Sequence, residues 1–598
     1  MKSALLSLII FFVPIFLSAQ ITFENGPELN NDKDWKVNRL LEGDDGTFYT
    51  YRVRTKGPGT SFYIEKYSKD GMSLVFSKEV EMESSYNEVM NVLYSQGRVF
   101  LFLGNFDQYQ TKMTLTYLTV SSAGEVQKKE KEILMIKVDH RNQIDIGIIQ
   151  NPGKTEFLVK ACFRGEKLDD WKTDLVLFNS TDMSQIWRKG VNQRMMNLNA
   201  ITRNNILSNN WSTPAGKTGV SSARGGSFKM DPEREDIGLV GIFLDDEENV
   251  FYGISTNGTE TADGERKYQL ILYTLDKTAD KPKSLDLGFP EKYIMSDVLM
   301  SKTNREMIIG GMFKESNSMG STQVNSGVLA YKVNIDSNKV VSNTIQLFDA
   351  SLLKAIGSID EDNTLRYKMD YIFHSGTDVY FVGEEFKETY SLKRHTSTTT
   401  QYNGSNGGAQ SGGYGGAYAG SNNMHTGPGT TTTMHNSTVT AFWEYEYRDV
   451  IVCKWSQEGK FVWIKNAPME VKLMLKAPHL LKQYFVMTAN NQIYFLCNEN
   501  PKNLKLYNAE KFDQDAMEAT SGVMGSNFVY SSLSMDDGTF HHGLVFSNDE
   551  YGFAPNTEAD VRFMPPPECE NFVSGGINTA IIYTEHRGAG RFSKLSFK

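Results

Sequence analysis

Two adjacent histidines, His541 and His542, follow the acidic pair Asp536-Asp537, a set of side chains that metal centres use. On a strand, neighbouring side chains point to opposite faces, so the two imidazoles are badly placed to share one ion. His395, His425 and His435 lie in a stretch without apolar period, where ordering them around a metal would cost backbone entropy at each residue. Acidic runs at Asp44-Asp45, Asp245 to Glu248 and Asp536-Asp537 raise calcium binding or the paired carboxylates of a glycosidase. Such carboxylates must face one another across about 5–10 Å, which separate hairpin turns do not ordinarily provide, and Asp favours turn backbone by itself. The chain has no G-x-S-x-G, H-E-x-x-H, P-loop or EF-hand motif. The expectation is therefore no catalytic residue, no metal ligand and no cofactor.

Aromatic residues are the stronger lead to binding. Trp171, Trp211 and Trp443 fall in or beside long connections, where an exposed Trp could stack on a sugar or anchor a protein partner. The competing reading is that each tucks back to fix its own loop, since Trp is highly buried on average. Cys162, Cys453, Cys497 and Cys569 show no C-x-x-C spacing, so neither zinc nor a redox motif is indicated. They allow three disulfide connectivities, or serve as buried strand thiols.

The elements that must position these residues follow a four-beat rhythm: apolar run, tight turn, apolar run, open loop, then the same again. Its first copy is VNRLLE-GDDG-TFYTYRV, TKGPGTS, FYIEKY-SKDG-MSLVFSKEV, from Val37 to Val80. Alternating apolar residues bounded by Asp-Gly, Gln-Gly and Pro-Gly turns are hairpin signals, so each copy predicts a four-stranded antiparallel meander. Further copies begin near Val89, Ile144, Ile237, Ser296, Met369 and Tyr484. The tail AIIYTEHRGAGRFSKLSFK adds two more strands, and QITFENG, near the amino terminus, is placed to supply the outermost strand of that last sheet. The rhythm predicts an all-β fold, a β-propeller of eight blades, or seven if the tail joins the seventh, closed by its amino- and carboxy-terminal strands. A Phe recurs at the end of the second strand, at Phe106, Phe163, Phe313 and Phe386, and its expected use is packing between blades.

Antiparallel alternation sorts the connections onto two faces. Turns between strands one and two, and three and four, share one face and are short throughout. The other face collects the long segments: Gln193 to Asp236, Ser255 to Lys267, Lys314 to Ser326, His395 to Thr440 and Glu499 to Asn527. Elaborated loops on one side of a rigid scaffold are where binding usually resides. The stretch 395–440, rich in Gly, Ser, Thr, Asn and Tyr, reads as a flexible loop within one propeller domain spanning 20–598. Asn503 to Glu518 has a loosely helical pattern.

The chain opens with Lys2, an apolar run from Ala4 to Leu17 and the small residues Ser18-Ala19, the order of a secretory signal peptide over residues 1–19. The run is too short for a comfortable membrane span, and no later stretch approaches that length, so an exported protein without a transmembrane segment is expected: periplasmic, outer-surface or extracellular. With 62 Lys and Arg against 72 Asp and Glu, the net charge is −10, which argues against nucleic acid, whose phosphates require clustered cations.

In blade rhythm and signal peptide the chain resembles secreted bacterial β-propeller proteins of unassigned function. Gly310-Gly311 is similar to the diglycine of kelch repeats, which the other copies lack, and the S-x-D-x-G-x-T-W box of sialidase-like propellers is missing. The loop asymmetry, taken with the signal peptide, points to a non-enzymatic binding or scaffold propeller of the cell envelope, engaging a protein or glycan through the long-loop face. The alternative it leaves open is a glycan hydrolase or lyase with its site in the axial funnel of that face.

Overall fold

The strands follow from two kinds of apolar pattern. Second strands are continuous apolar runs: Arg98–Asp107, RVFLFLGNFD, is buried at six consecutive positions, Val99 to Gly104. Fourth strands alternate: Lys339–Leu347 reads KVVSNTIQL and is half-buried at best. A strand covered on both faces needs apolar residues throughout, whereas a rim strand needs them only on one side. The computed structural model describes residues 21–29, 35–44, 46–54, 61–83, 88–140, 143–165, 171–192, 195, 237–260, 266–290, 293–315, 326–348, 365–402, 431–475, 481–507, 516–520, 525–555, 559–560, 572–576, 578–586 and 589–598.

Eight antiparallel blades form a ring, a β-propeller. Blade one comprises Trp35–Glu42, Thr47–Arg54, Ser61–Ser68 and Leu74–Glu81. Blade two comprises Glu88–Ser95, Arg98–Asp107, Lys112–Ser121 and Lys131–Lys137; blade three, Ile144–Gln150, Glu156–Arg164, Trp171–Asn179 and Gln185–Val191. Blade four runs Ile237–Leu244, Val250–Glu260, Arg266–Leu275 and Lys283–Asp286; blade five, Tyr293–Thr303, Glu306–Glu315, Ser326–Asn334 and Lys339–Leu347. Blade six has Leu365–Ser375, Asp378–Tyr402, Thr431–Trp455 and Phe461–Ala467; blade seven, Tyr484–Ala489, Gln492–Glu499, Asn527–Ser534 and Phe540–Ser547. The eighth is built from Phe572–Gly576, Thr579–His586, Ala589–Phe597 and, from the other end of the chain, Ile21–Leu29. That last strand pairs antiparallel with Ala589–Phe597, Ile21 opposite Phe597, so the predicted closure and the count of eight both hold.

The core is a ring of eight seams. Distinct apolar clusters join blades one and two around Leu41, Tyr49 and Leu101, and two and three around Phe100, Phe102 and Phe157. Others join three and four at Leu158 and Tyr252, four and five at Phe251 and Phe313, and five and six at Phe381 and Trp455. The series ends with six and seven at Tyr380 and Phe495, seven and eight at Tyr494 and Phe597, and eight and one at Phe48 and Phe592. The recurrent Phe serves this packing: Phe313 and Phe386 are buried in seam clusters, and Phe106 and Phe163 pack on the seam between blades two and three. Each blade thus buries its faces on its neighbours, which lets so long a chain avoid one oversized core.

Blade six departs from the others. Its second and third strands continue past the blade as a ribbon, paired from Lys387–Glu446 to Tyr402–Thr431, with Val471–Leu475 added as a third strand along its base at 443–447. Regular backbone therefore enters both ends of the stretch expected as a flexible loop, where Thr, Tyr, Val and Phe favour extended chain; residues 403–430 lie outside the described residues. Of the helix predicted over Asn503 to Glu518, one turn forms, Leu504–Tyr507, and 508–515 lie outside the described residues.

Candidate functional site

The two faces differ in chemistry as well as loop length. On the tight-turn face, polar side chains tie blades to their neighbours. Tyr94 donates to Asp44 Oδ2 at 2.6 Å, from blade two to blade one. Lys189 of blade three reaches the carbonyls of Asp276 and Ala279 in blade four, and Lys454 of blade six reaches the Met535 carbonyl in blade seven at 2.8 Å. Asn490 donates to the Phe597 carbonyl at 3.1 Å, from seven to eight.

The acidic run Asp245 to Glu248 is the densest of these ties. Asp245 Oδ1 accepts the backbone N–H groups of Glu247 and Asn249, the turn-forming use expected of it. Its Oδ2 takes Lys302 of blade five at 2.6 Å, while Asp246 Oδ1 takes Asn151 and the Gly153 N–H of blade three at 2.7 and 2.8 Å. One turn thus fastens three blades. The exposed Asp536 and Asp537 also serve turns: Asp536 accepts from Asn491, and hydrogen bonds from the Thr539 backbone and side chain hold Asp537 at a pKa of about 2.

Beside this turn, Glu156 is buried and its Oε2 has no hydrogen-bond partner among the described residues. Burial, then the charges of Glu248, Asp246 and Asp245, raise its pKa to about 7. Below the unfolded value of 4.5 both states hold the proton. Between 4.5 and 7 the unfolded chain releases it first, so stability falls as pH rises, and the penalty is complete above 7. Glu156→Gln is therefore expected to melt higher than the parent at pH 8 and to converge with it near pH 4; parallel melting curves across that range would refute the assignment.

Two of the tryptophans expected to bind lie among the described residues, in different settings. Trp171 is the first residue of the third strand of blade three, paired with Arg164, and packs on buried Cys162, so it braces its own blade. Trp443 lies at the base of the ribbon, its backbone between Tyr390 and Leu475. Trp211 lies outside the described residues. Trp171 and Trp443 thus lie on different blades, three and six. Cys162, Cys453 and Cys497 are buried free thiols, with desolvation pushing each thiol pKa up; Cys569 lies outside the described residues.

At the seam of blades six and seven the loop face is anchored by a sealed polar node. His542 and His541 diverge as strand geometry requires: His541 is exposed, and the His542 side chain is 2% exposed. His542 Nδ1 meets Ser531 Oγ at 2.9 Å and its Nε2 lies 3.3 Å from Glu499 Oε2. Tyr507, on the helical turn Leu504–Tyr507, stacks on the imidazole with centroids 3.6 Å apart and donates to Glu499 Oε1 at 3.0 Å. A hydroxyl, an imidazole and a carboxylate in series is the arrangement of nucleophilic catalysis, but Tyr507 covers it. Burial, then the Glu499 charge, drive the Tyr507 phenol far above its usual pKa, so it stays a donor. The connection beyond it is clamped in turn: Asn503 holds both backbone groups of Glu518, and Thr520 bonds to Lys472 and Glu470. The node fastens a long connection across the seam.

Sequence reasoning passed over Tyr109, which lies in the turn between strands two and three of blade two, on the loop face, and is 90% exposed. The signal was the preceding Asp107, whose Oδ1 accepts the N–H groups of Tyr109 and Gln110, the turn chemistry typical of Asp.

A closed ring of eight blades with one elaborated face defines the class, the β-propellers. No protein-family model matches the chain, and no curated protein does. Among solved structures, the β-propeller domain of the Trilobed protease from Pyrococcus furiosus is similar, with 7% identity and TM-score 0.31 over 86% of this chain and 97% of that one. The WD40 domain of SCAP from fission yeast shares 6% identity with TM-score 0.33 over 97% and 98%. The polysaccharide lyase Uly1 shares 8% with TM-score 0.34 over 85% and 90%.

Proposed function

We propose that this chain is an exported binding or scaffold propeller of the cell envelope, non-enzymatic, that engages a protein or glycan through its long-loop face. The observation that carries this reading is the inequality of the two faces. The tight-turn face spends its polar side chains on ties between blades. The opposite face carries the long connections, a ribbon that leaves blade six, and a connection of blade seven fastened by a buried node. A braced ring presenting elaborated loops is the arrangement of a binding scaffold. The signal-like amino terminus, Lys2 through Ala19, supports export.

The test compares the mature protein with a version lacking 193–236 and 395–440, on a glycan array and in pull-downs from envelope extract. The intact face is expected to retain a specific partner that the shortened version loses. Equal retention by both would refute the face assignment, and turnover of an arrayed glycan would replace the scaffold reading with the enzymatic one.

A further inference from the structure

We infer that the ribbon of blade six is a docking edge for a second copy of this chain, the two ribbons pairing antiparallel along 431–442 into one continuous sheet. The inference stands apart from whatever the loop face binds. The inner edge of Thr431–Trp455 is paired with Asp378–Tyr402 from end to end. Its outer edge takes Phe461–Ala467 at 450–455 and Val471–Leu475 at 443–447. From Thr431 to Phe442 no strand among the described residues pairs with that outer edge, which leaves about 40 Å of backbone donors and acceptors open. The open run continues directly from a stretch that has already accepted an added strand.

The amino acids along this edge set it apart from the other edges of the molecule. The outermost strands of blades one to six each carry a lysine, namely Lys78, Lys131, Lys189, Lys283, Lys339 and Lys465. Those of blades seven and eight are bulged, at 544–546 and 25–28. Charges and bulges both discourage an edge from pairing with another chain. The ribbon's opposite edge, 388–402, contains Glu388, Lys393 and Arg394. Residues 431–442 read TTTMHNSTVTAF, without Asp, Glu, Lys, Arg, Pro or Gly, and Thr, Val and Phe favour extended chain.

A second copy is the occupant that this edge fits. Turned about a two-fold axis near Asn436, the same edge sets Thr433 opposite Val439 and Thr432 opposite Thr440, β-branched cross-strand pairs that support a sheet, in one self-complementary contact. The connecting segment 403–430 is rich in Gly, which is depleted in strands, so it competes poorly for the position. The net charge of −10 on each chain opposes close approach of two rings. Contact near Asn436 keeps the two blades roughly 60 Å apart, several Debye lengths at physiological salt, so the repulsion is screened.

The test is analytical ultracentrifugation of the mature protein at about 10 μM, roughly tenfold above a Kd of about 1 μM, where a particle of twice the mass of one chain is expected. Asn436→Lys together with Thr438→Lys brings like charges against each other at the two-fold axis and should weaken association about tenfold or more. Asn436→Glu together with Thr438→Glu should do the same. An equimolar mixture of the two double variants should dimerise again, which ribbons merely unfolded by the substitutions would not do. A monomeric parent would leave the edge to a strand of another protein and overturn the inference. A double variant that remains dimeric alone, or a mixture that remains monomeric, would overturn it as well.

Discussion

Gly310→Ala is expected to leave little folded protein, and Phe381→Leu in the same chain to restore part of it. Gly310 sits in the second strand of blade five, between Leu299 and Ala330. A methyl group built there would lie 1.7 Å from Phe381 Cε1 and 2.1 Å from Cζ, on the ring that blade six inserts into this seam. The Phe381 side chain is fully buried beside Trp455, with ring centroids 5.8 Å apart, so it has nowhere to retreat. Overpacking of a core costs about 1–3 kcal/mol and occasionally more, and an overlap this deep belongs at or beyond the upper end. Urea unfolding of the parent, the single variants and the double variant measures it. Full stability of Gly310→Ala would show that the two blades separate more easily than their packing implies. The first glycine of the pair that resembles a kelch signature is, in this chain, room made for a neighbouring aromatic ring.

Removing the strand Ile21–Leu29, by beginning the chain at Asn30, should have a comparably large effect. That strand closes the ring by pairing along Ala589–Phe597. Ile21 is buried in the seam of blades seven and eight, worth about 2–3 kcal/mol of burial by itself. Phe23 packs obliquely on Phe546 and edge-on to Tyr551, with ring centroids 5.0 and 5.5 Å apart, and Asn25 accepts hydrogen bonds from Tyr551 and Ser593. Without it, Ala589–Phe597 becomes an open edge, the template for pairing with another chain. The expected result is a lower, broader thermal transition, association on size-exclusion chromatography, and faster hydrogen exchange across 579–597. Addition of a peptide comprising residues 21–29 should reverse the exchange. Unchanged exchange in the shortened chain would mean that the ring is closed by the apolar seams alone.

Much of this architecture was legible because it is local. Runs such as RVFLFL and turns such as Gln96-Gly97, both in left-handed backbone, declare a hairpin within a dozen residues, and repetition converts hairpins to blades. The inequality of the two faces follows from strand alternation and connection length, so it too was readable. Local pattern does not say what a side chain packs on. Trp171, at the edge of the third blade's open loop, packs on Cys162 of its own sheet. Nor is exposure, 90% for Tyr109, a local property of an aromatic residue. The acidic run at 245–248 was correctly assigned to a turn, but its grip on Asn151, Gly153 and Lys302 joins segments distant along the chain.

The sequence by itself determined the strands, their grouping into blades and which connections share a face, because period-two burial and turn stereochemistry act over a few residues. Only the tertiary structure decided that the ring closes at eight, that Gly310 must lack a side chain, that Glu156 is buried among acids and that His542 is sealed beneath Tyr507. Each of these depends on which atoms a neighbouring blade brings within a few ångströms, and local sequence pattern carries no record of that distance.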